Sequence, residues 1–191
     1  NVSTQAIASL SLQANGILVR TSGGETIALR AFSDSIVEVR ATALAALPKR
    51  RSFMVVEENA QECELSTGES ATAFWMATPK VRAEVDKASG QVTFFDASGR
   101  RIVREVAGSR SFKPVVEMGE ATHRVTQRFH YDDVQVLMGL GGHQDGIANY
   151  KGRDCALIQY NCIDIVPFHV TDAGWAMLWD NDSITRFGDP R

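Results

Sequence analysis

The residues best suited to chemistry lie between positions 138 and 170. Glycines there alternate with side chains that donate or accept hydrogen bonds, namely His143, Gln144, Asp145, Asn149, Tyr150, Gln159, Tyr160 and Asn161. Hydroxyl-rich ligands require such a mixture, because they need many directional donors and acceptors beside an aromatic face. The same residues are also typical of turns at a sheet edge, where amides bond to local backbone. The residue types alone leave both interpretations open.

The sequence contains no motif that is typical of a metal site, a nucleotide-binding loop or a nucleophilic serine. None of the four histidines (His123, His130, His143 and His169) is spaced from another as zinc ligands are, and Cys155 and Cys162 complete no set of four. The stretch GLGGHQDG (139–146) is rich in glycine but is followed by no helix that could bind a phosphate. There is no G-x-S-x-G motif. We therefore predict neither a metal nor another cofactor.

Aspartates are frequent in the C-terminal third of the chain, but their spacing does not select a catalytic pair. A retaining glycosidase needs two carboxyl groups roughly 5–5.5 Å apart on rigid supports. Most aspartates here lie in predicted turns, where this residue commonly bonds to local backbone. The candidates are Asp132, Asp133, Asp145, Asp154, Asp164, Asp172, Asp180, Asp182 and Asp189.

Composition excludes several kinds of partner. The net charge is −3, and the only tight cationic cluster is PKRR at 48–51, so we expect no nucleic-acid partner. No apolar run approaches the roughly 18 residues of a membrane span. Hydrophobic residues make up 44% of the chain, enough for a sizeable core. We expect the three cysteines, Cys63, Cys155 and Cys162, to be free thiols, because a core of this size needs no disulfide.

Short segments of alternating polarity predict an all-β protein with little helix. Clear examples are GILVRT (16–21) and VRAEVD (81–86), and KASGQ (87–91) and DASGR (96–100) are typical of hairpin turns. ATALAAL (41–47) is interpreted as a loop or a single helical turn, and 109–122 as a long connection. Roughly twelve to fourteen strands at this spacing predict a large antiparallel β-sandwich, with residues 1–191 as one domain.

The C-terminal third resembles the N-terminal domain of glycoside hydrolase family 31, which comprises α-glycosidases. Met138 stands where the family has an aromatic residue, and Ala176 where it has a glycine. FSDSIVEVRAT (32–42) is similar to an early strand of the family, and TRFGDP (185–190) to its α-xylosidases. The matching motifs are MGLG (138–141), NYKG (149–152), LIQYN (157–161), VPF (166–168) and GWAMLWDN (174–181).

This resemblance implies a galactose mutarotase-like β-sandwich without catalytic residues. In the family, the catalytic aspartates lie on a (β/α)₈ barrel that follows this domain and needs roughly 200 or more residues. The chain would then be part of a longer enzyme acting on α-glucosides or α-xylosides, in the periplasm or outside the cell. The barrel would cover an exposed apolar patch of the domain.

The resemblance also implies a loop that reaches the rim of the substrate pocket. We expect the rim residues to be Gln159, Asn161, Cys162 and Asp164, with Gln144, Asp145, Asn149 and Tyr150 as a secondary loop. The partners would be an α-linked gluco- or xylo-oligosaccharide at the rim and the missing barrel.

Two other functions remain as alternatives. A stand-alone carbohydrate-binding module would need exposed aromatic platforms, for which Trp75, Trp175 and Trp179 are the candidates. Their apolar neighbours favour burial instead. An aldose epimerase would need a general base and a general acid near the sugar, and the sequence indicates no such pair.

Overall fold

The computed structural model describes residues 5–188, and these form strands joined by turns and loops. The predicted all-β antiparallel sandwich is confirmed. Backbone packing divides the chain into two compact units, residues 1–50 with 58–130 and residues 51–57 with 131–191. A single domain over 1–191 stays a prediction. Asp189 and Pro190, which end the TRFGDP motif, lie outside the described residues.

The first unit contains a four-stranded antiparallel sheet in simple hairpin order. Its buried residues alternate along the second and third strands, as the sequence pattern predicts. The strands, in sheet order, are β1 (Ile7–Gln13), β2 (Gly16–Thr21), β3 (Thr26–Ala31) and β4 (Val37–Thr42).

A six-stranded antiparallel sheet completes the sandwich of the first unit, and most of it is the predicted meander. Gly90 and Gly99 adopt positive φ in the two predicted hairpin turns. The strands, in sheet order, are β12 (Phe129–His130), β9 (Arg101–Glu105), β8 (Val92–Asp96), β7 (Val81–Asp86), β6 (Ala73–Ala77) and β5 (Ser66–Glu69).

One aliphatic core lies between these two sheets. The four-stranded sheet contributes Ile17, Val19, Ile27, Leu29 and Ala31, and the six-stranded sheet contributes Met76, Ala83, Val85 and Val92. All of these side chains are almost completely removed from solvent. Burial of this apolar surface drives the two sheets together.

The long connection predicted at 109–122 is wrong. Residues Ser111–Glu117 and Glu120–Thr126 form strands β10 and β11 of a hairpin. Met118 and Gly119 both have positive φ at its turn, which is the backbone of a tight two-residue hairpin loop. Pro114 is tolerated because a two-stranded ribbon consists of edge strands only.

The second unit contains two small antiparallel sheets. The first has the order β13 (Leu137–Gly142), β15 (Asp164–Thr171) and β16 (Ala176–Leu178). The second pairs β14 (Cys155–Leu157) with β17 (Thr185–Phe187). Their common core combines Val134, Leu137, Leu140 and Leu157 with Tyr150 and Cys155.

Two glycines allow β13 to approach β15 closely. A Cβ on Gly139 would lie 2.5 Å from the carbonyl oxygen of Phe168, and one on Gly141 would lie 2.0 Å from that of Asp164. The register shifts between these glycines, and Leu140 turns into the core with a φ of 66°. The GLG motif therefore builds a β-bulge here and not a phosphate loop.

The seventeen strands found within residues 5–188 exceed the predicted number. Besides β10 and the first three residues of β11, the sequence interpretation did not assign β1 and β5; the rest of β11 lies within a strand predicted at 123–131. Both are largely exposed, so their apolar alternation is weak. Ala41 and Thr42 of the ATALAAL segment end β4, and residues 43–47 form a loop, as predicted for the segment. A 3₁₀ turn forms at Glu57–Asn59. The three cysteines are free, as predicted.

Within residues 5–188, the structure has no helix long and apolar enough to cross a membrane.

Candidate functional site

The turn between β14 and β15 carries the four predicted rim residues. Tyr160 and Ile163 form an isolated antiparallel bridge, and the Ile163 amide donates to the Tyr160 carbonyl oxygen at 3.3 Å. Asn161 and Cys162 occupy the corner of this turn, and both are exposed. The fold therefore brings Gln159, Asn161, Cys162 and Asp164 together on one short loop of the second unit.

The side chain of Gln159 bonds within this loop. Its amide nitrogen donates to the carbonyl oxygens of Tyr160 and Ile163, and to Asp164 Oδ1 at 3.3 Å. Its amide oxygen accepts from the backbone N–H of Ile165 at 3.1 Å. One amide group thus connects the start of the turn to the start of β15.

The secondary loop is held by Asp145. This carboxylate accepts the backbone N–H of Ile147 at 2.9 Å and the hydroxyl of Tyr150 at 3.0 Å. The Ile147 hydrogen bond, together with that of Tyr150, holds the pKa of Asp145 below its usual value although desolvation opposes it. Burial and Asp145 raise the pKa of Tyr150 to about 12. Asp145 is thus ionised at neutral pH and accepts hydrogen bonds only.

Asn149 and Gln144 differ in their surroundings. The Asn149 side-chain oxygen accepts the backbone N–H groups of Leu137 and Lys151, each at 3.0 Å, and its nitrogen donates to the Gln135 carbonyl oxygen at 3.0 Å. Asn149 therefore connects the secondary loop to β13. Gln144 is exposed at the outer side of that loop.

Cys155 and His143 are close together, but they do not form an activated nucleophile. The Cys155 sulfur lies 3.5 Å from His143 Nε2, which is also 2.9 Å from the carbonyl oxygen of Leu140. Because a carbonyl oxygen only accepts, His143 Nε2 carries a proton, and Nδ1, the nitrogen left to accept one, lies 4.0 Å from the sulfur. Burial raises the pKa of Cys155, so the sulfur stays protonated.

An aromatic cluster around the buried His169 supports the opposite side of β15, and sequence reasoning did not identify it. It comprises Tyr131, His169, Trp175 and Phe187, with ring centroids 5.2–5.8 Å apart. The Tyr131 hydroxyl lies 3.1 Å from His169 Nε2. Burial lowers the pKa of His169 to about 4, so its ring is neutral near pH 7. The alternation of DIVPFHV does indicate that His169 shares a face with Ile165 and Pro167.

The other face of the β13–β15–β16 sheet is apolar and exposed. Met138 pairs with Val170, and Phe168 pairs with Leu178, so these side chains share one face with Val166. All five are 38–47% exposed. We refer to Met138, Val166, Phe168, Val170 and Leu178 as the apolar sheet face.

None of the three tryptophans is an open platform for a sugar ring. All are only partly exposed, and the guanidinium of Arg82 lies 4.4 Å above the ring of Trp75. Trp175 belongs to the aromatic cluster of β15. No group of three or more potential metal ligands occurs among residues 5–188.

Comparison with known proteins finds the same fold inside much larger enzymes. The structure matches the family 31 α-xylosidase of Xanthomonas citri with 35% sequence identity and a TM-score of 0.85, over 94% of this chain and 20% of the enzyme. It matches a family 31 α-xylosidase from a soil metagenome, solved with xylose, with 22% identity and a TM-score of 0.81, over 94% of this chain and 29% of that enzyme. The second match shows the fold alone.

Sequence comparison agrees with the structural match. The α-xylosidase of Saccharolobus solfataricus is 26% identical over 128 residues, which are 62% of this chain and 17% of that enzyme. No family model matches the chain. The chain spans less than a third of the length of each of these relatives. The predicted resemblance to the N-terminal domain of glycoside hydrolase family 31 is confirmed.

Proposed function

We propose that this chain, a domain of a glycoside hydrolase family 31 enzyme, is a non-catalytic support for a catalytic (β/α)₈ barrel in the same polypeptide. It covers part of the barrel and contributes the 159–164 loop to the rim of the substrate pocket. One observation carries the proposal: almost the whole chain matches, at 35% identity, only a fifth of an α-xylosidase. The remaining four fifths of such an enzyme provide room for a barrel.

The chemistry of the loop carboxylates supports a non-catalytic role. A glycosidase requires a general acid whose pKa is raised toward neutrality. The pKa of Asp145 is lowered instead, and its oxygens accept hydrogen bonds from the secondary loop. Asp164 accepts from Gln159 within its own loop. Both carboxylates stabilise local structure, as aspartates in turns commonly do.

The apolar sheet face supports docking to the barrel. Five large apolar side chains are exposed together on one regular sheet, where contact with water is unfavourable. The outer helices of a barrel present a firm surface on which such a face can pack. Asp164 begins β15, the strand that carries three residues of the apolar sheet face, which supports a rim loop at one end of the proposed docking face.

The exposed corner of the rim loop supports a contribution to substrate binding. The Asn161 amide can both donate to and accept from sugar hydroxyl groups. Contacts remote from the bond that is cleaved raise the rate when they orient the substrate in the transition state. We infer that the substrate is an α-xyloside, because the similar enzymes with sequence support are α-xylosidases. An α-glucoside, the other substrate that the family resemblance implies, is the alternative.

Hydrolysis assays test whether this chain is non-catalytic and the rest of the polypeptide carries the activity. The 191-residue chain and the full-length polypeptide are each incubated with 4-nitrophenyl α-xyloside and α-glucoside. We expect release of nitrophenol by the full-length polypeptide only. Turnover by the isolated chain that persists through repurification to constant specific activity contradicts the non-catalytic role.

A binding experiment tests the docking face. The chain is titrated with the separately produced remainder of the polypeptide, and the double variant Val166→Thr/Phe168→Thr is compared with Val116→Thr. Val116 is also an exposed strand valine, but it lies on β10. We expect the double variant to weaken binding at least about tenfold, since two apolar contacts are lost. Equal affinities of the two variants would show that another surface binds the barrel.

A further inference from the structure

Gln159 is an exposed residue whose side chain is occupied by its own loop. Its amide group contacts four partners, all between residues 160 and 165. The donors bond to Tyr160, Ile163 and Asp164, and the acceptor receives the Ile165 N–H. The two N–H donors of the amide are shared among three acceptors, so a sugar hydroxyl could accept from this amide only by displacing one of them.

These bonds join three parts of the rim. Gln159 precedes the turn, Ile163 closes its bridge with Tyr160, and Asp164 and Ile165 begin β15. Fixing the backbone of a loop residue costs about 1–2 kcal/mol in conformational entropy, so an exposed turn keeps one geometry only if local bonds offset that cost. The amide of Gln159 supplies such bonds on both sides of Asn161 and Cys162.

We propose that Gln159 is a positioning residue, which fixes the turn so that Asn161 and Cys162 present their side chains to the bound sugar. This role rests on the proposed rim function, and it divides the four rim residues by task. Gln159 acts through Asn161 and Cys162 and makes no sugar contact of its own. Asp164 supports Gln159 through its Oδ1 atom.

Amide hydrogen exchange in the isolated chain tests the hydrogen-bonded loop without reference to sugar. We expect Gln159→Ala to accelerate exchange of the Ile165 N–H about tenfold, the effect of losing one hydrogen bond. Gln159→Glu keeps an acceptor for Ile165 and should keep its protection, although it can no longer donate to Ile163. Gln135→Ala, an exposed glutamine of the same unit, is the matched control. Unchanged Ile165 exchange in Gln159→Ala overturns the proposed positioning.

Kinetics of the full-length polypeptide then test whether Gln159 acts through the corner residues. Gln159→Ala and the double variant Asn161→Ala/Cys162→Ala are each expected to lower kcat/KM for the aryl α-xyloside. Adding Gln159→Ala to that double variant should cause no further loss, because the groups that Gln159 positions are already removed. An additive loss would mean that Gln159 contacts the sugar directly, which overturns the proposal.

The two measurements distinguish failure of the proposal from failure of the rim function. If exchange at Ile165 responds to Gln159→Ala but none of the variants changes kcat/KM, the hydrogen-bonded loop stands and the rim function is wrong. If kcat/KM falls in Asn161→Ala/Cys162→Ala but Ile165 exchange is unchanged in Gln159→Ala, the rim function stands and the positioning role is wrong.

Discussion

The two units of this chain differ in what their strands bury. In the first unit, two sheets bury small and branched aliphatic side chains against each other. In the second unit, the core contains tyrosine and cysteine with a buried histidine alongside, and a sheet leaves a whole apolar face in solvent. The two main sheets of the first unit therefore cover each other's facing sides, although the unit also exposes apolar side chains such as Leu12 and Val116. The second unit exposes the apolar sheet face, which is available to a partner, and it also carries the candidate rim loop.

Among the described residues, the buried charges of the first unit, Glu105 and Arg110, belong to one ion cluster. Arg110 bonds to Glu105 and, at 3.0 Å, to Glu25, and its side chain is almost fully buried. Glu105 also accepts the backbone N–H of Val92. Burial raises the pKa of Glu25 even with Arg110 beside it. Such a cluster is sensitive to the loss of one member, because the remaining charges stay buried.

Arg110→Ala should have the largest effect on stability. It leaves Glu25 and Glu105 without their cation, which costs about 3–5 kcal/mol for a buried pair. Urea unfolding measures the loss. Arg124→Ala is the control. Arg124 and Glu117 are both exposed and lie 3.6 Å apart, and such a surface pair contributes less than about 1 kcal/mol to stability. If both variants lose a similar free energy of unfolding, burial does not make the Arg110 ion cluster more important for stability than an exposed pair.

Ile27→Ala should come next, since it opens a cavity between the two sheets. Ile27 is fully buried, and truncation of a buried isoleucine costs about 2–5 kcal/mol. Ile36 is exposed, so Ile36→Ala should change the free energy of unfolding by less than about 0.5 kcal/mol. Chemical denaturation of both variants provides the comparison, and a cost for Ile36→Ala equal to that of Ile27→Ala would count against the core as described.

Low pH should destabilise the second unit, because His169 is buried in its neutral form. The pKa of its imidazole is about 4 in the folded chain, below its ordinary value of 6.5, so the unfolded chain binds the proton more readily. The contribution of the neutral His169 ring to the free energy of unfolding is therefore fully present above pH 6.5. It falls by about 2–3 kcal/mol as the pH is lowered toward 4. His169→Leu should remove this loss between pH 7 and pH 4.5. The exposed His123, replaced by Gln, should leave it intact.

Val166→Thr should have the smallest effect on the stability of the isolated chain. Val166 is 47% exposed and threonine keeps the β-branched shape, so we expect a change below about 0.5 kcal/mol. Thermal unfolding measures this value. A loss above about 1.5 kcal/mol would show that Val166 is a core residue, and the contrast between the two units would weaken accordingly.

The alternation of the sequence determined much of the sheet structure. β2 and β7 begin and end where GILVRT and VRAEVD predict, because one buried face imposes a period of two. The glycine turns of the meander followed from the need for positive φ. The resemblance of LIQYN and its neighbours to family 31 came from ordered motifs, and sequence comparison independently matches 128 residues of the chain to an α-xylosidase.

Tertiary structure decided the features that depend on distant parts of the chain. Proline and glycine at 114 and 119 concealed β10 and the start of β11, since both residues are typical of connections as well as of edge strands. The apolar sheet face exists because the register places Met138 opposite Val170 and Phe168 opposite Leu178. Residue type cannot tell whether Gln159 bonds to a ligand or to its own loop, because an amide serves both equally well. Only the folded position of the Ile163 and Ile165 backbone settles which partners lie within hydrogen-bonding distance.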